Sequence, residues 1–107
     1  MRPVLPAEVS RAARHLLCMP PDTRAGAARR LVWRAHWADC WRKRLGRAHP
    51  AWGDGSLGAA VPAGPLPLEP TWDDPEYARC IAEVLCAVVE WREDAGRLSR
   101  GRSRRSA

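Results

Sequence analysis

At 107 residues the chain has room for one small domain. It carries six Trp and no Phe, and its net charge of +6 comes from 18 Lys+Arg against 12 Asp+Glu. No stretch approaches the roughly 18 consecutive apolar residues of a membrane span, and the opening MRPVLPAEVS meets Glu8 before any continuous apolar run, so neither a spanning segment nor a secretory leader is expected and the chain reads as cytoplasmic.

The charge is unevenly spread. Residues 1–47 hold eleven basic and three acidic side chains, residues 48–96 hold two and nine, and residues 97–107 hold five arginines and no acid. Basic ends suit a polyanion, and the acidic middle suits a basic surface, including the front of a neighbouring copy. Cys18, Cys40, Cys80 and Cys86 show neither CxxC nor zinc-ligand spacing and read as small, mostly buried thiols in a reducing compartment.

In chain order, three main helices are expected, about 7–19, 23–45 and 74–95, which makes the fold all-α. In the first, Val9, Ala13, Leu16 and Leu17 share a face, and Pro20 and Pro21 stop it. Asp22 is the expected N-cap of the second, and Gly46 its C′ residue. In this second helix Trp33, Trp37 and Trp41 recur every fourth residue, with Arg30, Arg34 and Arg44 on the same side. That row reads either as core surface or as a face offered to a partner. Residues 46–72 form a Gly/Pro-rich irregular loop, with one short helical turn at SLGAAV and extended chain over PAGPLPLEP.

Asp73 or Asp74 caps the third helix and Pro75 suits its first turn. Tyr77, Ile81, Val84, Val88, Trp91, Ala95 and Leu98 repeat at spacings of four and three, a coiled-coil period that favours packing between copies of a chain short of core. Tyr77, Ile81, Val84, Val88 and Trp91 are thus the expected homo-oligomer seam. Residues 1–96 form a single helical domain, and residues 97–107 a basic, disordered tail.

The candidate phosphate contacts are Arg24, Arg29, Arg30, Arg34, Arg42, Lys43, Arg44 and Arg47, joined in the tail by Arg97, Arg100, Arg102, Arg104 and Arg105. No Ser/His/Asp set, carboxylate pair or phosphate loop is recognisable, so no enzyme, cofactor or metal is expected. His36 and Cys40, four apart, fall short of a metal site. GDGS, residues 53–56, reads as a turn.

The loop motif RAHPAWGDGSLGAA (Arg47–Ala60), with the opening PAEVSRAARHLL and the helical ADCWR, resembles a short protein of alphaproteobacterial gene transfer agents, considered the small terminase subunit of those phage-like clusters. The resemblance covers about residues 3–95. It implies a non-catalytic, homo-oligomeric subunit that binds double-stranded DNA with low sequence specificity and hands it to the large terminase. Two alternatives stand beside it: a small helical transcription regulator, which needs discriminating base contacts, and a protein-only adaptor or connector of a phage-like particle.

Overall fold

The computed structural model describes the backbone over residues 1–106 and the side chains over residues 1–97. Four α-helices follow one another: α1 (Pro6–Leu17), α2 (Arg24–Leu45), α3 (Leu57–Ala60) and α4 (Pro75–Ser106). Among the described residues the all-α reading holds, the single β-bridge joining His49 to Gly53 within the loop.

Helix α1 starts where Pro6 can sit without losing a needed N–H, and Glu8 reaches back to accept from the Leu5 amide at 2.7 Å. Val9, Ala12, Ala13 and Leu16 are buried on one face. The helix ends at Leu17, two residues earlier than the sequence predicts, because the Cys18 and Met19 amides turn to the i−3 carbonyls of His15 and Leu16. A 3-10 turn, Pro21–Thr23, follows and takes up Asp22, so the N-cap of α2 is Thr23 and not Asp22.

Helix α2 buries a row of small residues, Ala27, Ala28, Ala35 and Ala38, with Leu31 and Val32 among them. Small side chains let α1 and α4 approach closely on this side. Among the described residues no helix covers the opposite side. Gly46 ends the helix at φ 73°, its amide bonding to Arg42 O at 2.8 Å, the left-handed stop expected of a residue without Cβ.

Asp74 caps α4, its Oδ1 accepting from the Glu76 and Tyr77 amides at 3.0 and 3.2 Å. Tyr77, Cys80, Ile81, Val84 and Ala87 enter the same core cluster as Val9, Leu16, Leu31, Val32 and Leu57, with Val88 and Trp91 at its margin. The Tyr77 hydroxyl donates to Glu69 Oε1 at 3.0 Å and lies 2.9 Å from Ser10 Oγ. This corrects the seam: Tyr77, Ile81 and Val84 are at most 5 % exposed and hold α4 onto α1 and α2 of their own chain. The 4–3 spacing is the same for either use, because any long helix on a helical core presents such a stripe.

The backbone of α4 stays helical to Ser106, beyond residue 95 and through the segment expected to be a disordered tail. Gly96 weakens a helix by about 1 kcal/mol against Ala without breaking it. Arg97 pairs with Asp94 one turn back, and arginine is itself a good helix former. The side chains of Leu98, Arg100, Arg102, Arg104 and Arg105 lie outside the described residues. No described helix is long and apolar enough to cross a membrane. Of the thiols only Cys80 is buried; Cys18, Cys40 and Cys86 are exposed, because Cys40 and Cys86 fall on the outward sides of α2 and α4.

Candidate nucleic-acid interface

The outward side of α2 carries Arg29, Arg30, Trp33, Trp37, Cys40, Trp41 and Arg44, all exposed. Trp33 and Trp37 keep 47 % and 48 % of their surface open, too much for core residues. The indole row is therefore surface, and its edges pack on one another: the Trp33 and Trp37 centroids are 6.0 Å apart in a T-shaped pair.

The loop after α2 extends this surface. His49 and Gly53 exchange two backbone hydrogen bonds, of 2.8 and 3.1 Å. His49 Nδ1 accepts from the Ala51 and Trp52 amides, both at 3.0 Å, which fixes the imidazole. The ring then stacks on Trp52 at 4.6 Å and 10°. Trp52 meets Trp33 edge-on at 5.9 Å, and His49 meets Trp41 at 4.9 Å. Five rings thus form one half-open patch, with the Arg34 guanidinium 6.0 Å over Trp52.

The next loop residues anchor it. Asp54 Oδ1 accepts from the Ser56 amide at 3.1 Å, its Oδ2 pairs with Arg2 at 2.9 Å, and its carbonyl accepts from Arg42 Nε at 3.0 Å. Ser56 caps α3, its Oγ accepting from the Ala59 amide at 3.2 Å. Gly58 N–H donates to Glu8 Oε1, and Arg11 donates to Gly58 O. Leu57, fully buried, pins the whole turn to the core. The GDGS turn expected from the sequence is thus a clasp between α1 and α2.

The candidate phosphate contacts separate into three groups. Arg24 leaves the set: it is 7 % exposed, and its guanidinium donates to the carbonyls of Leu16, Leu17 and Met19 and pairs with Glu76 at 2.7 Å. Its position directly after the turn makes it the cap of the α1 C-terminus, where the free carbonyls need donors. Arg29, Arg42 and Lys43 have acidic partners: Glu90 at 3.4 Å for Arg29, and Asp39 at 3.0 and 3.1 Å for the other two. Arg30, Arg34, Arg44 and Arg47 make no ion pair among the described residues. Arg97 is exposed and pairs with Asp94; the other tail arginines lie outside the described residues.

Two flanks border the indole row. On the α1 side Arg30 and Arg34 line a cleft of about 200 Å³ with His15, Met19, Ala27 and Leu31. Burial, then Arg34 and Arg11, push the His15 imidazole below its usual value, as in a site already rich in positive charge. On the α4 side Trp33 and Arg29 border Glu90, Trp91 and Asp94. Nearer the C-terminal end of α2 lies buried Asp39, which binds the Met1 ammonium at 3.3 Å as well as Arg42 and Lys43. Burial alone raises its pKa, but the three cations outweigh it and hold the carboxyl at about 2.

Sequence reasoning placed the indoles and Arg30, Arg34 and Arg44 on one side of α2; the indoles, Arg30 and Arg44 are exposed there, and Arg34 is half-buried on the α1 flank. It missed His15, His49 and Trp52. The loop motif itself was the only signal for the last two. Cys40 Sγ lies 3.5 Å from His36 Nε2, and among the described residues no three His, Cys, Asp or Glu side chains are grouped to hold a metal.

No curated protein and no solved structure matches the chain. Residues 2–88 match the family described as Domain of unknown function (DUF7742), a span that runs from the Arg2–Asp54 pair through α3 and most of the packed part of α4. The chain belongs to the DUF7742 family.

Proposed function

We propose that this protein is a non-catalytic DNA-binding subunit of a packaging machine, of the small-terminase type, that holds the polymer without strong sequence preference and passes it to a large terminase. The observation that carries this reading is the open indole and arginine face of α2, where Arg30, Arg34 and Arg44, with Arg47 in the loop just after it, have no acidic partner among the described residues. Unpaired arginines beside exposed rings suit phosphates and bases together, and phosphate contact gives affinity without sequence information. The resemblance of the Arg47–Ala60 motif to the gene-transfer-agent protein supplies the packaging role. Association of copies belongs to this reading through surfaces other than the buried stripe of α4.

The test is retention of labelled DNA fragments by the full chain at low and high salt. Binding should weaken with a steep negative dependence on salt, of slope roughly −0.9 per phosphate contacted. The Arg30→Glu, Arg34→Glu, Arg44→Glu variant should lose retention and lower the yield of packaged DNA. Unchanged retention and unchanged yield would remove the reading.

A further inference from the structure

We infer that the α2 face holds a single strand of nucleic acid, its bases on the indoles and its phosphates on the α1 flank, in preference to an intact duplex. This deepens the DNA-binding reading and rests on it.

The inference comes from the asymmetry of the two flanks. A helix lying in the major groove, which is about 12 Å wide, meets phosphate chains on both sides. Among the described residues, helix α2 has unpaired arginines for one. Its α1 flank presents Arg30 and Arg34 over a cleft with His15 and no carboxylate. Its α4 flank presents Glu90 and Asp94 beside Trp33, with Asp94 held by Arg97. Arg29 on that flank is taken by Glu90, and Lys43 by Asp39. Among the described residues, a second phosphate chain on this flank would meet cations that already hold carboxylates, and no unpaired arginine lines it.

The surface between the flanks is also wrong for a duplex and right for separated bases. Paired bases offer only their edges to a protein, whereas an unpaired base offers a π-face. Trp33 and Trp37 are half open and Trp41 is exposed beside them, while the stacked His49–Trp52 pair borders the row. Small hydrogen-bonding side chains that read base edges are missing from this row, so stacking should be tolerant of sequence. The strand end or a frayed stretch of the packaged polymer is the chemical species that fits.

Fluorescence anisotropy with the full chain tests this, using four labelled probes of 20 nucleotides: oligo-dT, a mixed-sequence single strand, its blunt duplex, and an abasic strand that keeps the phosphates. Both single strands should bind at least about tenfold tighter than the duplex and the abasic strand, a difference worth ~1.4 kcal/mol. Trp33→Leu with Trp37→Leu, both at exposed positions, should erase that preference and leave the weaker salt-sensitive binding of the abasic strand unchanged. If duplex or abasic strand binds as tightly as oligo-dT, the single-strand inference is overturned while the DNA-binding reading stands. If no probe shows salt-sensitive binding, both fall. The abasic comparison needs no variant, so it decides the question even if the leucine substitutions disturb folding.

Discussion

A Cβ added at Gly55 would stand 2.6 Å from the Cα of Asp39. The loop backbone therefore runs in contact with helix α2 where α2 carries its buried carboxylate. Gly55 also holds φ 96°, a conformation that side-chain-bearing residues avoid. Gly55→Ala meets both penalties, and the nearest atoms it strikes, Asp39 Cα and Cβ, are fixed to the α2 backbone and cannot swing aside. Its expected cost is about 2–4 kcal/mol, measured as a lowered urea midpoint. Indole near-UV dichroism should change with it, because the clasp positions His49 and Trp52.

Asp39 sets an acid limit on the fold. Its folded pKa of about 2 lies below the ordinary value of 3.8, so its contribution is complete above about pH 5. That contribution is lost as pH falls through 3.8 toward 2, and amounts to on the order of 2 kcal/mol. Asp39→Asn should be less stable at pH 7 and should show a flatter loss between pH 5 and 2. Equilibrium unfolding across that range checks the slope.

Arg24 separates folding from binding. Arg24→Gln strips the α1 carbonyls of their donor and should cost about 2–3 kcal/mol. Arg30→Gln, on an exposed side chain, should change stability by less than about 0.5 kcal/mol. DNA affinity, measured where both variants are fully folded, should fall for Arg30→Gln and stay put for Arg24→Gln. The opposite pattern would return Arg24 to the phosphate contacts.

Val84 distinguishes a core stripe from a seam between copies. Val84→Ala removes two methyl groups from a nearly closed site and should cost about 1–2.5 kcal/mol. Because α4 packs on its own chain, the thermal midpoint shift should not depend on protein concentration. A shift that vanishes at high concentration would restore the seam.

Much of this architecture is legible in the residues themselves. Pro20 and Pro21, Gly46, and Asp74 with Pro75 mark helix ends by steric and capping chemistry that acts locally. The 3.6-residue period put the three indoles on one side of α2. What the period does not reveal is which side faces inward. That was decided by Ala27, Ala28, Ala35 and Ala38, whose small size admits α1 and α4. An aromatic row draws the eye as core, yet a row of alanines packs closer. The stripe from Tyr77 to Trp91 was likewise found, but partner identity is a property of the whole chain. Arg24 could be told from Arg30 only by knowing that the α1 carbonyls end beside it. The His49–Trp52 stack depends on a loop conformation that no periodicity encodes.

The Ser10–Tyr77 contact joins residues 67 apart. During synthesis the apolar face of α1 therefore leaves the ribosome long before the helix that covers it. Until Tyr77, Ile81 and Val84 emerge, Val9, Ala13 and Leu16 have α2 and the Leu57 turn to shelter against, but not the helix that completes the core. Nascent chains arrested before α4 should be sticky and open to proteases, and closure of the bundle should come as a late, cooperative event when that last helix docks.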